Sequence, residues 1–114
     1  MADATAYKIL TATELAELEA GTFQGAPVDK ADGYIHLSTA AQVTETADRH
    51  FAGQGDLAIA AVDLDALGEA VRWELSRGGA LFPHLYGPLT LDAVIAYSPL
   101  HRLADGTVAL PVAG

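Results

Sequence analysis

Leu57-Ala-Ile-Ala-Ala-Val-Asp-Leu64 is a continuous apolar and β-prone run, broken only by Asp63. Side chains alternate between the two faces of a strand, so a segment that is apolar at both parities must be covered on both sides. The run is therefore predicted to be the central strand of a sheet, and the rest of the chain has to supply its neighbours.

Shorter candidates lie on either side of it. Tyr7 to Leu10 and Gly33 to Thr39 precede the run, and Val71 to Leu75 and Ala93 to Tyr97 follow it. Phe82 to Gly87 is also extended, but Pro83 has no N–H and Pro88 follows, which assigns this piece to an edge or a bulge. Two helices are expected. Thr11 and Glu14 have capping-box spacing, and Gly21 closes the helix they open, with Leu15 and Leu18 facing the core. Thr39 and Gln42 form a second box, opening a helix that puts Ala40, Val43, Ala47 and Phe51 on one stripe and turns Glu45, Asp48 and Arg49 outward. Gly53-Gln-Gly55 ends it. The stretch around Pro27 reads as a polar loop, Asp65 to Gly68 as a turn, Ser76 to Gly79 as a loop, and the tail around Gly106 as a final hairpin. The prediction is one α+β domain over residues 1–114, with a small split mixed or antiparallel sheet and two helices.

Composition sets outer bounds on function. In 114 residues the apolar fraction is 51% and the charged fraction 18%, which places the chain among folded proteins. There is no cysteine, which removes disulfides, thiolate metal sites and a cysteine nucleophile. The net charge of −9 repels phosphate backbones and anionic lipid surfaces, so nucleic acid and membrane are not the expected partners. No run approaches the ~20 apolar residues of a spanning helix, and the first residues lack the pattern of an export signal. The expected location is cytoplasmic.

Strand parity collects the chemistry. Ile35 and Leu37 share one face of their strand, and Tyr34, His36 and Ser38 share the other. Val71 and Trp73 oppose Arg72 and Glu74, while Phe82, His84 and Tyr86 align. If the polar faces converge, one cleft holds two imidazoles, a carboxylate, a guanidinium, a phenol and a hydroxyl. Plainer roles also fit these residues: a structural His36, helix-capping Ser38 or Thr39, an Arg72–Glu74 ion pair, and Trp73 in the core. His50 and His101 read as surface residues, and no metal site is assigned. Glycine-rich dinucleotide loops, phosphate loops and nucleophile elbows are absent from the sequence. The helix start near Thr39 would offer free N–H groups beside His36 and Ser38, a seat for a phosphate with Arg72 nearby.

Asp32-Gly-Tyr-Ile-His-Leu-Ser-Thr39, Arg72-Trp-Glu74 and Phe82-Pro-His-Leu-Tyr-Gly-Pro88, in this order, resemble the small bacterial family called domain of unknown function 952. The likeness runs from Tyr7 to about Pro111. That family is grouped with the ADP-ribosyltransferase-like fold, which includes NAD-consuming transferases and RNA 2′-phosphotransferases. The resemblance implies a split sheet with NAD or a related ADP-ribosyl group in the gap. It further implies Glu74 and His36 as catalytic residues, and Lys8, Ser38, Thr39, Arg72, His84, Tyr86 and Gly87 as ligand contacts. In this chain Lys8 stands near where the superfamily carries a first-strand His. A non-catalytic module that keeps the cleft, and an enzyme like the RNA 2′-phosphotransferases, are the alternatives. The partner in the first two readings is a small phosphorylated molecule or dinucleotide.

Overall fold

The structure is a computed structural model and describes residues 4–111. In chain order its elements are β1 (Thr5–Leu10), α1 (Ala12–Ala20), α2 (Pro27–Asp32), β2 (Ile35–His36), α3 (Val43–His50), β3 (Ala58–Asp63), α4 (Leu64–Leu67), β4 (Val71–Leu75), β5 (Leu81–Leu85) and β6 (Val94–Pro99). The strand of the Leu57 run, β3, is the middle of an antiparallel sheet ordered β1-β3-β6. A second antiparallel sheet has the order β2-β5-β4. The two meet at one bridge, where Tyr7 and Ser38 exchange backbone hydrogen bonds of 2.7 and 2.9 Å. The α+β class and the split are as expected, and the pairing between the named strands is antiparallel throughout.

The burial of β3 follows its parity. Ala58, Ala60 and Val62 join Ala6 and Leu10 of β1, Leu18 of α1, and Ile35, Leu37 and Leu85 of the second sheet in the main core. Ile59 turns the other way and packs with Ile9, Val43 and Ala47, so α3 covers that face. Small residues on β3 let both layers approach its backbone closely. At α1 the capping box forms in full: Thr11 Oγ1 accepts from Glu14 N–H at 3.1 Å and Glu14 Oε1 accepts from Thr11 N–H at 2.9 Å. Gly21 closes it with φ 77°, a left-handed value that glycine adopts without a Cβ clash.

Four expectations are corrected. The stretch at Pro27 is helix α2, not loop: proline at the first turn fixes φ without losing a helical bond, and Asp29 accepts from the Ala26 N–H at 2.8 Å. With α4 it raises the number of α-helices beyond two. The second capping box forms by half. Gln42 Oε1 accepts from Thr39 N–H at 3.0 Å, but residues 39–42 make a turn and α3 starts at Val43, so Ala40 is exposed rather than on the buried stripe.

The remaining correction concerns β5, which is a central strand and not an edge. Pro83 accepts the Leu37 N–H at 3.1 Å, so its own backbone nitrogen faces β2. The missing donor therefore falls where β2 runs out, and leaves the ladder to β4 intact. The strand from Val94 and the antiparallel bridge between Arg102 and Val108 around Gly106 agree with expectation.

Ile59 carries the test of this architecture. Because it is fully buried between the sheet and α3, Ile59→Ala should lower the unfolding free energy by roughly 2–5 kcal/mol, read by urea denaturation. A change within the range of surface substitutions, about ±0.5 kcal/mol, would contradict a two-sided burial of β3.

Candidate functional site

Register brings the chemistry of the second sheet together. His36 of β2 lies opposite His84 of β5, and Arg72 of β4 lies opposite His84 on the other side. Residues directly opposite share a face, so His84 sits mid-sheet with an imidazole on one flank and a guanidinium on the other. Tyr34, just before β2, stacks on His84 at 4.1 Å between ring centroids and 26° between planes, and tilts against His36 at 4.6 Å. The two imidazole centroids are 5.5 Å apart.

Behind each imidazole stands a carboxylate. Glu74 Oε1 accepts from His84 Nδ1 at 2.8 Å and from the Tyr86 hydroxyl at 2.7 Å. Those bonds, the one from Tyr86 first, hold the Glu74 carboxyl below its ordinary range, and the same contact raises the Tyr86 phenol. Burial, then the charges of Asp32 and Glu74, raise the Tyr34 phenol as well. Arg72 forms no ion pair with Glu74 among the described residues. Its guanidinium lies 4.8 Å from the Tyr86 ring centroid instead.

Asp29 is the residue that the sequence reading missed. The parity of β1 sends Lys8 into the main core beside Ala6 and Leu10, where a lone ammonium would be heavily penalised. Asp29 answers it with Oδ1 and Oδ2 at 3.1 and 2.9 Å from Nζ, the two side chains being 7% and 1% exposed. Asp29 Oδ1 also accepts from the His36 backbone N–H at 3.0 Å and from Nδ1 of its ring at 2.7 Å. Burial pushes this carboxyl up, but the bonds from His36 and the charge and bonds of Lys8 prevail and hold it at about 2. Asp32 Oδ2 lies 2.9 Å from His36 Nε2, so both nitrogens of that ring face carboxylates. A signal was present: an apolar-parity lysine demands an acid, and Ala26-Pro27-Val-Asp29 has the form of a helix start.

Between the sheets, beside the Tyr7–Ser38 bridge, lies a cleft of about 690 Å³. Lys8, His36, Ser38 and His84 line it, together with Phe51 and Phe82. His50, read as a surface residue, also stands on this lining. The other expected contacts lie elsewhere. Thr39 is buried and its N–H is taken by Gln42, so the helix-start seat for a phosphate is not formed there. Glu74, Arg72 and Tyr86 sit on the far side of His84, outside the lining. Gly87 borders a smaller hollow of about 320 Å³ with Phe23 and Tyr34. Ser38 Oγ is within 2.9 Å of Thr46 Oγ1, which ties β2's extension to α3.

The model of the family described as a protein of unknown function, DUF952, matches residues 9–97, and the chain belongs to that family. It is similar to protein CC0527 from Caulobacter crescentus, whose crystal structure is 47% identical with a TM-score of 0.83, over 93% of this chain and 94% of that one. The solution NMR structure of CC0527 is 46% identical, with a TM-score of 0.77, over 92% of this chain and 91% of that one. No curated protein matches. Among the described residues no helix is long and apolar enough to cross a membrane, and no cluster of histidine and acidic side chains could hold a metal ion.

The Asp29 network makes two measurable demands. Asp29→Ala strands Lys8 in the core and should cost roughly 3–5 kcal/mol of stability by chemical denaturation, where an exposed pair would cost about 1 kcal/mol or less. The pH dependence has a definite sign. The folded-state value of about 2 lies below the ordinary 3.8, so the contribution of Asp29 is complete above pH 4 and is lost as pH falls through about 2. That shift corresponds to about 2 kcal/mol. Stability measured across this window should fall steeply in the native protein and less steeply in Asp29→Asn.

Proposed function

We propose that the inter-sheet cleft is a binding site for a small phosphorylated ligand, and that an ADP-ribosyl group, as in NAD or ADP-ribose, is the ligand class. The observation that carries the reading is a buried ammonium on the wall of a cleft of small-molecule size. Two of the three Lys8 donors are directed at Asp29, which leaves one for a ligand oxygen. The volume lies within the range of roughly 300–1,000 Å³ usual for small-molecule sites, and Phe51 and Phe82 offer apolar surface to a ring. The family resemblance supplies the ADP-ribosyl group; composition does not. Its presence as a cofactor or as a substrate is part of the proposal.

The position of Glu74 favours binding over the transferase chemistry first expected of it. A carboxylate that steadies an oxocarbenium-like centre must face the ligand, and Glu74 stands behind His84 with its Oε1 occupied. His36, also expected to be catalytic, has both ring nitrogens against carboxylates. An RNA 2′-phosphate substrate is disfavoured by the net charge of −9.

Titration with NAD, ADP-ribose and pyrophosphate, followed by backbone amide shifts, tests the reading. Shifts should concentrate at Lys8, Ser38, Phe82 and His84 and saturate at millimolar ligand or below. No shift with any of the three, or shifts confined to Phe23, Gly33 and Gly87 around the smaller hollow, would refute it.

A further inference from the structure

We propose that His84 is the proton-transferring group of the cleft, that Glu74 positions it, and that Tyr34 fixes the plane of its ring. The ligand reading above supplies only the hydroxyl-bearing molecule on which the proton moves.

His84 lies on β5, the central strand of its sheet, with its side chain 3% exposed, and its Nδ1 is 2.8 Å from Glu74 Oε1. An ionised carboxylate only accepts, so Nδ1 carries the hydrogen, and the neutral ring then bears its lone pair on Nε2. Among the described residues no buried side-chain nitrogen or oxygen lacks a hydrogen-bond partner. Glu74 holds Nδ1, so Nε2 keeps its access through the cleft that the ring lines. Tyr34 covers one face of the ring at 4.1 Å and opposes its rotation. What faces the cleft is thus a tautomer set by its own surroundings.

His36 makes the contrast. Its two nitrogens lie 2.7 Å from Asp29 and 2.9 Å from Asp32. It is locked at both ends, whereas His84 is locked at one. The same residue type, 5.5 Å away across the sheet, therefore serves as scaffold in one strand and as an open base in the other.

The step is a simple proton transfer. Nε2 takes the proton of a ligand hydroxyl, the O–H bonding pair stays on the ligand oxygen, and the imidazolium formed is balanced by the Glu74 carboxylate. Return of the proton restores the ring. Tyr86 holds the same carboxylate oxygen at 2.7 Å and keeps it from swinging away from Nδ1.

Long-range proton–nitrogen NMR of the full chain reads the tautomer directly, and diethyl pyrocarbonate reads the nucleophilicity of Nε2. The reagent transfers its ethoxycarbonyl group to an unprotonated ring nitrogen, with release of ethanol and carbon dioxide, and peptide mass mapping locates the product. The expected result is the Nδ1–H form for neutral His84, modification of His84 ahead of His36, and loss of that tautomer in Glu74→Ala but not in Glu74→Gln. Amide spectra of the variants establish that the fold is kept. An Nε2–H tautomer in the native protein, or a His84 no more reactive than His36, overturns the proposal. If His84 behaves as expected while NAD, ADP-ribose and pyrophosphate all fail to shift the amides, the ligand reading fails and the proton-transferring residue stands.

Discussion

One buried carboxylate joins β1, β2 and α2. Asp29 accepts from an ammonium on β1, from the backbone and ring of His36 on β2, and from the backbone N–H that opens its own helix. These partners belong to β1, β2 and α2, and β1 and β2 also meet in the main core and at the Tyr7–Ser38 bridge. A buried ion pair adds little net stability over a well-packed apolar pair, but losing one member leaves the other exposed to the full desolvation penalty. Asp29 thus acts as a constraint on geometry. It requires Lys8 to lie on the wall of the cleft and His36 to lie with its ring against α2.

Around that constraint, an acidic protein places its functional groups by parity. One face of the second sheet gathers Tyr34, His36, His84 and Tyr86 into ring contacts, and the opposite face belongs to the core. Each imidazole has its own carboxylate, yet the two are not equivalent: Asp29 is buried and Glu74 is 37% exposed. The two histidines are differentiated by one additional acid, Asp32, at the second nitrogen of His36.

Much of this is legible in the sequence. The double-sided apolar run from Leu57 sets β3 at the centre of its sheet, and the Thr11–Glu14 box needs only local geometry to form. Strand alternation placed His36, His84 and Glu74 correctly on one face because side-chain direction in a strand depends on nothing beyond its neighbours. What escaped were the long-range matters. Pro83 looked like an edge residue until the orientation of its backbone toward the end of β2 showed that no ladder bond to β4 was lost. Asp29 and Lys8 are far apart in sequence, and composition counts both as ordinary surface charges. The Arg72–Glu74 ion pair does not form, and the guanidinium lies instead over the ring of Tyr86, a partner from another segment that spacing along one strand does not display. Thr39 has the sequence of a helix cap, but its partner Gln42 closes a turn ahead of the helix.

A crystal of the chain soaked with ADP-ribose is the most direct test, because it shows whether a ligand occupies the space between the two sheets. Ligand density is expected in the inter-sheet cleft, with a phosphate oxygen at Lys8 Nζ and a ribose hydroxyl at His84 Nε2. Density in the hollow beside Phe23 and Gly87, or a cleft that stays without ligand at saturating ADP-ribose, would contradict it.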